Sequence, residues 1–138
     1  MNTKATFALL ASAVCGGNVA TTVSLPESRW QLAELSGAEV APVGERGPGF
    51  LRFEASGDRF AASVGCNSMG GTWSSEGGSL SFSRIVSTLM ACEEPLMTRE
   101  RQLSQALSST TQFRSRGGRL ELLAGNAVVA AFTPDSSR

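Results

Sequence analysis

The chain has 138 residues, with 12 basic and 12 acidic side chains and a formal net charge of zero. Its length allows one domain with a modest core, and its charge gives no general attraction to nucleic acid or to an anionic membrane surface. It contains no histidine, which excludes Ser-His-Asp and Cys-His nucleophilic catalysis, histidine acid–base chemistry and the common histidine-containing zinc sites.

Residues 1–20 read as an export leader. Met1-Asn2-Thr3-Lys4 is a short positive start, and Ala5 to Val14 is an apolar run of signal-peptide length that is too short to span a bilayer. Cys15 stands where a bacterial lipoprotein carries its lipidated cysteine, but Ser12 and Val14 depart from the usual lipobox. Cleavage after Ala13 or Ala20 competes with lipidation. In either case Cys66 and Cys92 remain as an even pair, suited to an oxidising compartment. Residues 21–28 read as a linker, and the folded domain is expected over 29–134.

Within that domain, Arg29 to Leu35 alternates with period two, which predicts a strand with Trp30 and Leu32 inward, ended by Ser36-Gly37. The Pro- and Gly-rich stretch from Ala41 to Gly49 reads as loop. Its Gly47-Pro48-Gly49 is not a phosphate cradle, because proline removes an amide and no GxGxxG or GK[ST] pattern follows. Phe50 to Glu54 and Arg59 to Val64 read as a hairpin, with Leu51 and Phe53 facing Phe60, Ala62 and Val64. A second hairpin joins Thr72-Trp73-Ser74 to Leu80-Ser81-Phe82 across Glu76-Gly77-Gly78, and Ile85 leads towards Thr88. Later strands flank Arg116-Gly117-Gly118 and Gly125-Asn126. About eight short strands joined by tight turns predict a small antiparallel β-barrel.

One segment breaks the period. Pro95 to Leu107 has helix formers throughout, proline in its first turn, and Glu93 and Glu94 at its positive end. Leu96, Leu103 and Leu107 share a face that should cover an open end or flank of the barrel, with Glu100 in the middle of that stripe. A carboxylate there must be hydrogen-bonded, paired or pushed to the rim.

Cys66 and Cys92 have no CxxC spacing, and the leader apart there is no third cysteine, so a structural disulfide is favoured over a redox or metal pair. Glu100, Asn67 and Thr88 are the nearest approach to a constellation. They could form a polar ligand site at the barrel mouth, but the simpler reading has Glu100 accepting hydrogen bonds and docking the helix. Arg114, Arg116 and Arg119 read as a solvated turn, and Trp30 and Trp73 as core. No catalytic residue, metal ligand or cofactor is expected.

Taken together, Trp30-Gln31-Leu32, Leu51-Arg52-Phe53, Gly65-Cys66-Asn67 with Gly70-Gly71 and Trp73, Ser87-Thr88-Leu89-Met90-Ala91-Cys92, Met97-Thr98-Arg99-Glu100 and Leu120-Glu121-Leu122 resemble the META domain, also called the HslJ-like family. The resemblance implies a lipocalin-like barrel with a helix, in envelope proteins that are often lipoproteins. It also implies an association with heat shock and tolerance of antibiotics such as novobiocin, without an established catalytic activity. The expectation is a monomeric, non-enzymatic envelope protein, periplasmic or tethered to the outer membrane, that binds a protein or cell-surface component and no nucleic acid. The alternative is a carrier of a small apolar ligand in or at the mouth of the barrel.

Overall fold

The computed structural model describes residues 23–41, 47–55 and 57–135. The leader and Cys15 lie outside these residues. Nine strands and one helix follow in order: β1 (Arg29–Leu35), β2 (Ala38–Glu39), β3 (Phe50–Phe53), β4 (Arg59–Ser63), β5 (Ser68–Glu76), β6 (Ser79–Ser87), α1 (Glu94–Ser109), β7 (Gln112–Arg116), β8 (Arg119–Ala124) and β9 (Ala127–Pro134). The sheet order is β2-β1-β3-β4-β5-β6-β7-β8-β9, and pairing of β1 with β9 closes the sheet into a ring. All pairings are antiparallel. The ninth strand, beyond the eight expected, is the two-residue β2, which folds back on β1 after Ser36-Gly37.

Alternation selects the inward face, and three register shifts interrupt it, at Leu32/Glu34, Gly70/Thr72 and Leu122/Leu123. Trp30 and Leu32 point inward as period two requires, and Leu51 pairs with Ala62 and Phe53 with Phe60 in one hairpin. Strict alternation would next bury Glu34. A register shift between Leu32 and Glu34 buries Leu35 instead and leaves the carboxylate outside. The second shift lies between Gly70 and Thr72, where β6 bulges at Arg84 with φ of 55°. A Cβ on Gly71 would sit 2.5 Å from the Ser83 carbonyl oxygen and 3.0 Å from the Phe60 ring. Only glycine admits that approach.

The helix begins as its sequence dictates, with Pro95 in the first turn and Glu94 against the positive end of the dipole. It returns the chain along β6, leaving where Leu80 N–H donates to the Thr111 carbonyl. Strands β6 and β7 pair only at Ser79 and Gln112. The helix packs on β6, β8, β9 and β1, so it fills this seam in the ring, covering a flank. Leu96, Leu103 and Leu107 are fully buried there.

Inside the ring, Phe60 meets Phe82 edge-on at 4.9 Å and Phe53 meets Trp73 edge-on at 5.0 Å. Trp73 is half-buried rather than fully in the core, and its indole N–H reaches the Arg59 carbonyl. The linker read over residues 21–28 is corrected for its described part. Leu25 is 4% exposed within the core, its carbonyl accepts from Ser28, and Glu27 N–H bonds the Glu54 carbonyl. An apolar side chain in that stretch finds the barrel beside it, so the domain starts earlier than its first strand.

Candidate functional site

The sequence motifs around the two cysteines meet at one end of β4 and β5. Between those strands the chain turns through Val64-Gly65-Cys66-Asn67, with Gly65 at φ of 108°. Ser63 Oγ accepts from Gly65 N–H at 3.0 Å and donates to the Asn67 carbonyl at 2.9 Å. Cys66 and Cys92 form a disulfide with Cα atoms 6.2 Å apart. It ties this turn to the segment that leads from β6 into α1.

Asn67, 1% exposed, is the centre of the cluster. Its amide Nδ2 donates to the Met90 carbonyl at 3.1 Å and to Glu100 Oε2 at 2.9 Å. Its Oδ1 accepts from Thr88 Oγ1 at 2.7 Å and from Met90 N–H at 2.6 Å. Its backbone N–H donates to Glu100 Oε1 at 3.0 Å. Thr88 Oγ1 also accepts from Ser68 N–H, and Thr88 N–H donates to the Ser68 carbonyl, both at 3.1 Å.

Asn67, Thr88 and Glu100 are therefore brought together, and their pairing shows what they do. Each amide proton and both amide lone pairs of the Asn67 side chain are matched, and both Glu100 oxygens are held by Asn67. The helix is docked on the turn through a carboxylate, while the amide holds Met90 like a neighbouring strand. The polar groups serve one another, leaving the amide no donor for a ligand. Sequence reading missed Ser63 and the Met90 backbone. Serine carries no distinguishing signal at a strand end, and a backbone group carries none at all.

The arginine turn is a separate cluster. Arg114 Nε lies 2.6 Å and Arg116 Nε 3.8 Å from Glu121 Oε1, while Arg119 reaches Glu34 Oε2 at 3.2 Å. The Arg114 and Arg116 side chains are 44% and 66% exposed, whereas Glu121, which both share, is 12% exposed, and Arg119 Nε is buried without a hydrogen-bond partner. Among the described residues no group of three or more His, Cys, Asp or Glu side chains converges as a metal site, and no helix is long and apolar enough to cross a membrane.

The ring interior is occupied by side chains, with Leu32, Leu51, Phe53, Leu80, Leu120, Leu122 and Phe132 all under 2% exposed. Val23, Leu25, Pro26, Trp73 and Phe113, with Ser24 and Ser75, line an open depression of about 350 Å³.

Similarity to known proteins follows this geometry. Among solved structures, the fold is similar to the NMR structure of a protein from Burkholderia xenovorans, at 21% identity and a TM-score of 0.67, covering 82% of this chain and 85% of that one. It is also similar to a crystal structure of a duf4847 family protein from Bacteroides vulgatus ATCC 8482, at 13% identity and a TM-score of 0.56, covering 83% and 96%. At these identities the likeness is one of fold. No curated protein matches the chain in sequence. The META domain family model matches residues 23–137, taking in the buried Leu25 and the whole closed sheet, and the chain belongs to the META domain family.

Proposed function

We propose that this META domain is a non-catalytic, exported module of the bacterial cell envelope that binds a protein or cell-surface component through its outer surface and contributes to stress or antibiotic tolerance. The observation that carries this reading is the filled interior. Phe53, Phe82, Phe132 and the surrounding leucines occupy the space a carried ligand would need, and the polar hub is matched within itself. The disulfide supports export, since such bonds persist in oxidising compartments. The leader supplies the route, and lipidation of Cys15 would tether the domain to the outer membrane.

The test is complementation of a deletion strain challenged with heat or novobiocin. The full chain should restore tolerance, and a chain without residues 1–20, confined to the reducing cytoplasm, should not. Equal rescue by the leaderless chain would remove the envelope reading.

A second reading is favoured by one observation, the apolar depression beside Trp73 and Phe113. A small apolar molecule held there would make the domain a carrier at the mouth rather than in the interior. Thermal unfolding against a lipid and antibiotic panel separates the two readings, because a bound ligand raises the midpoint with its concentration.

A further inference from the structure

Three large apolar side chains are exposed among the described residues, and all three lie in one short segment: Val86 (70%), Leu89 (95%) and Met90 (55%). From Ile85 to Cys92 this segment carries no charge. Val86 pairs in register with Gly70, so no cross-strand side chain shields it. An exposed leucine taken singly needs no explanation, but a contiguous group confined to one place marks a contact surface.

The segment is also rigidly presented. Met90 N–H and carbonyl are both held by Asn67, Thr88 N–H by the Ser68 carbonyl, and Cys92 by the disulfide. The Met90 backbone and the Thr88 N–H, already bonded within the chain, need no water, so covering them costs little desolvation. Holding it in one conformation beforehand also reduces the entropy lost on association.

Charge identifies the occupant. Arg84 precedes the apolar group and Glu93 and Glu94 follow it, all three exposed and without an ion pair among the described residues. The order along the segment is positive, apolar, negative. Laid antiparallel on a copy of itself, that pattern sets leucine against apolar surface and arginine against glutamate at both ends, which is the symmetry of a two-fold contact. The chain is neutral, so no net repulsion opposes two copies.

We propose that Arg84–Glu94 is a self-complementary docking edge through which two copies of this chain associate about a two-fold axis. A stable interface covers roughly 800 Å² on each partner. Three side chains and their charged flanks are far fewer than the roughly 20 residues a side of such an interface. The dimer is therefore weak, forming at high local concentration such as tethering to a membrane would provide, while the dilute protein stays monomeric. This inference is independent of the binding-module reading, which concerns what else the surface meets.

Sedimentation velocity on the oxidised protein, from about 10 to about 500 μM, covers the range in which a contact of this size is populated. The sedimentation coefficient should rise with concentration. Leu89→Asp should weaken association at least about tenfold. Its unfolding midpoint should not move, because the side chain it replaces is exposed. Arg84→Glu alone and Glu93→Arg with Glu94→Arg should each weaken it several-fold, and the three changes combined should restore it. A wild type monomeric throughout, association that survives Leu89→Asp, or charge exchange without recovery would each overturn the proposal. A protein that instead binds vesicles of phosphatidylethanolamine and phosphatidylcholine through Leu89 without self-associating would overturn it too.

Discussion

The Asn67 hub and the arginine turn both gather charged and polar side chains, yet they do different work. At the hub one carboxylate meets two N–H groups of a residue that is 1% exposed, and the remaining amide groups are bonded to Thr88 and Met90. At the turn, three arginines with side chains 35% to 66% exposed share two glutamates, with Arg114 bonded to Glu121 at only 2.6 Å. A short distance does not rank the two. Exposed ion pairs gain little over hydration, whereas a buried donor that loses its partner cannot recover one from solvent. The comparison separates a buried network that holds three chain segments together from ion pairs whose arginines stay in contact with water.

The largest effect should come from Asn67→Asp, which removes both side-chain donors and sets a second carboxylate against Glu100. Urea unfolding of the oxidised protein should show a loss of about 4 kcal/mol or more. A loss below about 1 kcal/mol would mean that the hub is not structural.

Cys66→Ser comes next. The disulfide closes a sequence separation of 26 residues, and its removal should cost about 3 to 4 kcal/mol on the chain-entropy model, seen as a lower thermal midpoint under oxidising conditions. Glu100→Ala should cost about 2 to 3 kcal/mol by stranding two Asn67 donors. Glu100→Gln should fall between wild type and alanine, because its amide can accept one of those bonds but opposes the other. At the turn, Arg114→Ala should change stability by no more than about 0.5 kcal/mol. Raising the salt concentration should shrink even that difference while leaving the cost of Glu100→Ala nearly unchanged. If Arg114→Ala cost as much as Glu100→Ala, the distinction between the two clusters would fail.

Much of this was legible beforehand. The Leu96–Leu103–Leu107 stripe lies buried as its helical spacing predicts, and the first long hairpin sets Leu51 on Ala62 and Phe53 on Phe60. The sequence also brought Asn67, Thr88 and Glu100 together as candidates, with a helix dock preferred to a ligand site. The hydrogen-bond partners favour the dock.

By itself, the sequence determined eight of the nine strands, the turns between them, the helix and the family, because period, glycine placement and proline position act within a few residues of chain. Tertiary structure decided what no short window contains. Closure of β1 on β9 goes with the bulge that turns Glu34 outward, and the seam between β6 and β7 gives the helix its place. Packing against the barrel drew Leu25 into the core. Asn67 found Met90 and Glu100 at sequence separations of 23 and 33 residues, and such pairings exist only once the closed ring has set those segments side by side.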